Sequence, residues 1–305
     1  MTRPFRFGYQ SRVLADHDTI VADARRAEAL GYDELFSYDH VGEVDPFVPL
    51  VVAAEATTRL RVSPLVLNNE LHHPALLART AATVDRLSGG RLVLGLGTGY
   101  AQDEHDAIGL TLRPPGDRVA RFDESLTVLR ALLDDGRCAF SGVHHSIGVD
   151  DLGVRPAQAH VPFLVGGHGR RVVTTAARHA DIFQFTGLTH GDGGRPSPGG
   201  FAIDDVEHRR DWLLEAAAGR ADAIELSVLV QTTDVAVDAH ARIDQLASRF
   251  GLDRDQLVET PFVLAGSVEQ VIDEVERLRE RLGVSHIVVR EPESFAPVVA
   301  ALRGR

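Results

Sequence analysis

Lysine is absent: all 32 basic residues among the 305 are arginine. That reads as the codon usage of a GC-rich genome and says nothing about chemistry. Cysteine is nearly absent too. Cys138 stands alone, which excludes an intramolecular disulfide and any CxxC metal site, and it reads as a small buried hydrophobe near the end of a helix. No apolar run approaches the roughly 20 residues of a membrane span. Positive charge is in deficit, with a net −12 spread along the chain, which argues against nucleic acid or an anionic membrane as partner. The first strand ends Gly8-Tyr9-Gln10 and runs on into Ser11-Arg12. It therefore carries neither a GxGxxG dinucleotide loop nor the HxH of a metal-hydrolase barrel. Fourteen histidines are present, but His72-His73 and His144-His145 are adjacent pairs whose side chains diverge on a strand, so no metal is expected. The N-terminal residues enter a strand pattern without the apolar region of a signal peptide, and a cytoplasmic protein is expected.

What is present is a rhythm. Short apolar runs begin near positions 5, 34, 61, 91, 161, 181, 225 and 285, and helical periodicity separates most of them. Helices are expected at Thr19–Leu30 (closed by Gly31), Pro46–Thr57, Ala75–Leu87, Asp117–Leu133, Arg170–His179, Ala236–Phe250 and Val268–Leu282. Phe140–Asp150 reads as a small hairpin. Eight strands with intervening helices give an α/β protein, a single (β/α)8 TIM barrel over residues 1–305. One stretch breaks the rhythm: residues 187–200, rich in glycine and proline, form an insertion after strand six and are expected to be a mobile loop.

In such a barrel the residues just past each strand face the active site. That rule selects Tyr38, Asp39 and His40; Asn68, Asn69, His72 and His73; Gly97 to Tyr100 with Glu104; Gly166 to Gly169; and Thr186. Gly166, Gly167, His168 and Gly169 run into the Arg170–His179 helix. Glycines permit close approach of the backbone, and a helix N-terminus offers free N–H donors, so this turn suits a phosphate. His40 is the candidate proton donor and acceptor, because imidazole titrates near neutrality. Asp39 beside it is expected to orient a ring. Asn68 and Asn69 are hydrogen-bond candidates for a ring or substrate, and His72, Glu104 and Thr186 are further substrate contacts.

Ala27 to Asp33 followed by Ser37-Tyr38-Asp39-His40, the block from His73 to Gly99, and the Leu164-Val165-Gly166-Gly167 turn resemble the bacterial luciferase-like superfamily. The resemblance covers roughly residues 5–185 and is strongest to its actinobacterial branch that uses coenzyme F-420. It implies an oxidoreductase that moves a hydride between F-420 and a small organic substrate, with His40 as acid/base. An FMN-dependent monooxygenase using oxygen is the alternative, and a non-catalytic flavin-binding barrel is a third reading. The resemblance further implies a non-prolyl cis peptide near Pro64-Leu65, with Pro64, Leu65 and Leu67 behind the cofactor ring. Gly97, Thr98 and Gly99 would let the chain pass over the ribityl tail, and Arg170, Arg171 and Arg195 would suit an anionic oligoglutamate tail. A homodimer packed through early barrel helices is implied as well. Tyr100 departs from the pattern, since sugar-phosphate dehydrogenases of the superfamily place a carboxylate there.

Overall fold

The computed structural model describes residues 3–190, 196–197, 199–236 and 240–305. Nine strands form one parallel sheet: β1 Arg6–Gln10, β2 Glu34–Ser37, β3 Arg61–Pro64, β4 Leu67–Asn68, β5 Leu94–Gly97, β6 Phe163–Gly166, β7 Ile182–Phe185, β8 Glu225–Leu229 and β9 Val284–Val289. Their spatial order is β3-β2-β1-β9-β8-β7-β6-β5-β4. Because β3 and β4 are consecutive in the chain, the two ends of that order meet and the sheet closes. β3 and β4 are two pieces of one barrel strand, separated at the cis peptide bond Leu65-Val66. The eight expected barrel strands are all there. The cis bond lies one residue beyond the expected Pro64-Leu65, because Pro64 still pairs in register with Ser37 and the chain leaves the sheet only after it.

Alternation along each strand sorts residues between lumen and helix layer. One apolar cluster takes Phe36, Leu65, Val93, Leu164, Ile182, Leu229 and Val288, which lie in or directly beside the strands at seven barrel positions, and fills the lumen. β1 contributes Gly8 instead, since a Cβ there would lie 2.5 Å from the Phe36 ring. The larger cluster joins the outer strand faces to the helices.

Apart from α4, for which no helix was expected, the first six helices fall close to expectation. α1 is His17–Ala29, with Asp16 accepting the Thr19 N–H at its start; α2 is Val48–Ala56, α3 Pro74–Leu87, α4 Gln102–Ala107, α5 Pro115–Asp134 and α6 Arg170–His179. α7 (Ile203–Ala217), α9 (Arg254–Glu259) and α11 (Pro292–Leu302) escaped sequence reading, as did a parallel pair, Thr232–Val235 with Val263–Gly266. α8 is His240–Phe250 rather than Ala236–Phe250, because Thr232–Val235 is strand, and 237–239 lie outside the described residues. α10, Val268–Leu282, matches; Ser267 and Gln270 cap its start reciprocally and Gly283 ends it at φ +78°. The fourth barrel strand starts at Leu94 rather than Arg91, because the Arg91 side chain turns back onto the carbonyls of Ala54, Thr57 and Leu60.

The hairpin pairs Cys138–Ser141 with Ser146–Val149. Cys138 is buried as expected but opens that hairpin, since α5 has ended at Asp134 and Gly136 (φ +69°) turns the chain. Of the insertion, Thr189–His190 pairs with Pro196–Ser197. Residues 191–195 and 198 lie outside the described residues, so the expected mobile loop falls largely there. No described helix is long and apolar enough to cross a membrane.

Candidate active site at the barrel mouth

β2 delivers Tyr38, Asp39 and His40 to the carboxyl end of the barrel. His40 Nδ1 lies 2.6 Å from Glu104 Oε1. A carboxylate only accepts, so this nitrogen carries the proton and donates it. The second Glu104 oxygen accepts the backbone N–H of Val41 at 3.1 Å. The carboxylate on α4 thereby fixes the imidazole and leaves Nε2 for chemistry, on a side chain that is 39% exposed. Tyr38 and Tyr100 flank the ring with centroids 6.3 and 6.2 Å away.

Asp39 does not orient His40. Its Oδ2 accepts the Asn68 N–H at 2.9 Å and meets His72 Nε2 at 2.9 Å, which ties the end of β2 to the segment after β4. Asn68 Oδ1 in turn accepts the Glu70 N–H. Asn69 is buried beneath α5, where its carbonyl accepts from Arg121, and its Nδ2 has no partner among the described residues.

The cis peptide lies in the wall beside these groups. Pro64 and β5 approach so closely that a Cβ on Gly95 would sit 1.9 Å from the Pro64 carbonyl, and one on Gly97 would meet Val66 at 2.7 Å. Leu65 and Leu67 are buried, the latter in register with Leu96. After β5, Gly97-Thr98-Gly99 turns with Gly99 at φ +78°, a conformation unfavourable for other residues. A Cβ there would also fall 2.0 Å from Asn68 Oδ1. Burial and the charge of Glu104 push the Tyr100 phenol up, so it stays protonated at neutral pH.

The β6 turn holds Gly166 to Gly169. Gly167 packs its backbone on α6, where a Cβ would meet Val172 at 2.4 Å, whereas space is open at Gly169. Gly169 caps α6, and among the described residues no side chain takes the helix's first N–H groups. A phosphate fits those donors. The side chain of His168 is engaged elsewhere. Its Nδ1 accepts from Arg209 at 2.9 Å, and its Nε2 meets Thr186 Oγ1 and the Leu188 carbonyl, each at 2.7 Å. Arg209 on α7 is itself buried, which pulls its pKa down to about 10, and it also binds the carbonyls of Thr186 and Gly200. His168 and Thr186 therefore pin the insertion to the barrel. Arg170 turns to Glu215 and Trp212 on α7; a Cβ at Gly116 would touch Arg171; Arg195 lies outside the described residues. Among the described residues no His, Cys, Asp and Glu group is arranged to hold a metal.

Three further residues at the carboxyl end of the barrel were not read from the sequence: Gln10, Gln231 and Arg290. Arg290 Nε donates to Gln10 Oε1 and Nη1 to Gln231 Oε1, both at 2.8 Å. Alternation through His286 and Val288 was the signal that places Arg290 on the lumen side.

A known family shares this arrangement. Residues 3–197, well over half the chain, match the luciferase-like monooxygenase family. The chain belongs to that family. Among its relatives is an F-420-dependent glucose-6-phosphate dehydrogenase of Microbacterium testaceum, 25% identical, with 96% of this chain and 93% of the relative aligned. Among solved structures, the coenzyme F-420 dependent tetrahydromethanopterin reductase of Methanopyrus kandleri superposes with a TM-score of 0.77 at 20% identity, over 98% of both chains. An F-420-dependent secondary alcohol dehydrogenase bound to an F-420–acetone adduct gives the same TM-score and identity, over 98% of this chain and 99% of that one. These two structural likenesses bear on the fold.

Proposed function

We propose that this protein is an F-420-dependent oxidoreductase in which His40 exchanges the proton that accompanies hydride transfer to or from a small organic substrate. The observation that carries the chemistry is the His40–Glu104 pair at 2.6 Å in the barrel mouth. A relative named as F-420-dependent that aligns over 96% of this chain supports the choice of cofactor. When bound, the deazaflavin supplies the hydride donor or acceptor.

The protein's own part is positional. The N–H groups at the start of α6 and the turn Gly166–Gly169 would hold the phosphate, Gly97 to Gly99 would leave room for the ribityl chain, and the bulge at Leu65-Val66 would back the ring. Glu104 holds His40 in one tautomer, with Nδ1 donating and Nε2 turned to the mouth. Tyr100, a neutral phenol, donates a hydrogen bond but cannot act as the carboxylate found in sugar-phosphate dehydrogenases, so glucose 6-phosphate is not the substrate we propose.

On this reading the chain works as one unit, as a cytoplasmic homodimer. Val48, Leu76 and Leu87, exposed on α2 and α3, support packing through early barrel helices. The test is a titration of the purified apoprotein with F-420 and with FMN, oxidised and reduced, followed by cofactor fluorescence. Micromolar binding of F-420 alone is expected. Binding of FMN alone would move the assignment to an oxygen-using monooxygenase, and binding of neither would remove the cofactor argument.

A further inference from the structure

The barrel mouth holds a guanidinium that the reaction described above leaves unused. Arg290 follows β9, whose inward residues are His286 at the floor and Val288 in the lumen cluster. β1 pairs Gly8 with Val288, so Gln10 stands level with Arg290. Gln231, just past β8, stands on its other side. Both amides are fixed by their NH2 groups, Gln10 to the Leu65 carbonyl at 3.4 Å and Gln231 to the Leu229 carbonyl at 3.3 Å. Each therefore presents its oxygen to Arg290.

Two of the five guanidinium N–H donors are satisfied this way. Arg290 forms no ion pair and no further hydrogen bond among the described residues. Burial and the like charge of Arg12 pull its pKa down to about 10. Glu291, the adjacent carboxylate, is engaged by the Thr233 hydroxyl at 2.8 Å. A half-buried cation held by neutral amides is costly unless an anion completes it. The chain as a whole is strongly acidic, so positive charge placed here is not a general surface property. Tyr100 lies near both groups: its ring is 6.2 Å from His40, and its phenol feels the charge of Arg290. The open edge of the guanidinium and Nε2 of His40 thus both lie near Tyr100 at the carboxyl end of the barrel.

We propose that Arg290 is the substrate-anchoring residue, its open N–H edge gripping an oxyanion of the substrate, a carboxylate or a phosphate, while His40 serves the carbon that gains or loses hydride. Gln10 and Gln231 set the orientation of the fork, and because Gln10 also holds the carbonyl of the cis peptide, the anchor is registered to the bulge behind the ring. The inference rests on reading the mouth as the reaction site, and it names an anionic substrate class.

The test measures anion binding and cofactor binding separately. The protein saturated with F-420, so that the Gly166–Gly169 turn is filled, is titrated by calorimetry with acetate, inorganic phosphate and the neutral isostere acetamide. The same titrations are run on apoprotein and on Arg290→Gln and Arg290→Lys. One of the anions is expected to bind and acetamide not, with roughly 30-fold or greater weakening in Arg290→Gln and partial recovery in Arg290→Lys, which keeps charge but loses the fork. F-420 affinity is expected to change less than about 3-fold. The anion with the larger Arg290-dependent signal identifies the class: acetate for carboxylic acids, phosphate for phosphate esters. Equal binding by wild type and Arg290→Gln, or by acetamide and acetate, overturns the proposal. Loss of F-420 affinity with anion binding intact overturns it as well, by assigning the guanidinium to the cofactor. If F-420 fails to bind at all, the cofactor reading falls, and an Arg290-dependent anion signal in apoprotein still supports the anchor.

Discussion

The barrel carries titratable clusters at both ends, and their difference shows what makes such groups functional. At the floor, Arg6 grips Glu225 at 2.9 and 3.2 Å and lies 3.8 Å from Glu34, which faces His286 at 3.9 Å. Glu34 and His286 are fully buried and make no side-chain hydrogen bond among the described residues. Burial pushes Glu34 up to about 7 and His286 well down, so both tend towards neutrality. At the mouth, a histidine and a glutamate again meet, but at 2.6 Å, with the histidine half-exposed. The same residue types are sealed in one place and open at one atom in the other. A buried neutral pair at strand starts bears on stability, whereas an oriented, reachable imidazole at strand ends can exchange a proton.

Substitutions can break or sharpen this contrast. Once a substrate is found, His40→Gln should cost about 10²–10⁴-fold in kcat, with F-420 affinity retained in a fluorescence titration. A loss under 10-fold would move the proton elsewhere. Glu104→Gln keeps an acceptor for the imidazole N–H and removes the charge, so steady-state kinetics should show kcat falling about 10-fold with KM little changed. At the floor, Glu34→Gln should leave turnover alone and alter stability instead. The unfolded chain ionises this carboxyl near 4.5, while the folded protein keeps it neutral to about 7. Glu34 thus costs no stability below 4.5, an increasing amount as pH rises through that interval, and its full cost above it. Denaturant unfolding should find Glu34→Gln more stable than wild type by roughly 3 kcal/mol at pH 8, with the gain vanishing towards pH 4.5. A smaller change in stability than at Glu34 is expected for Gly99→Ala, which meets both a positive φ and Asn68 Oδ1. About 1–2 kcal/mol of stability should be lost, with weaker F-420 binding.

The mouth was partly legible in the sequence because its glycines and strand-end polar residues are local signals. Gly99 must adopt a positive φ, and the Gly166–Gly169 turn must precede a helix; each is written in a few adjacent residues. The partner of His40 was not legible in the sequence for the converse reason. Asp39 is adjacent in sequence, yet consecutive residues leaving a strand diverge, and the oxygen that reaches the imidazole comes from Glu104 on α4. Likewise His168 looked like part of the phosphate turn, and only α7, which carries no glycine or capping signature, brings Arg209 to claim its ring.

The sequence by itself determined the eight-fold alternation, most helices and the open turn before α6, because periodicity, chain-bending glycines and helix capping are short-range effects. Only the tertiary structure decided which groups meet across the barrel. Arg290, Gln10 and Gln231 lie far apart in the chain, and it is the stagger of closed parallel strands that brings them to one level. Barrel closure, which no local propensity encodes, brings those three residues and the distant pair of His40 and Glu104 to the same end of the barrel.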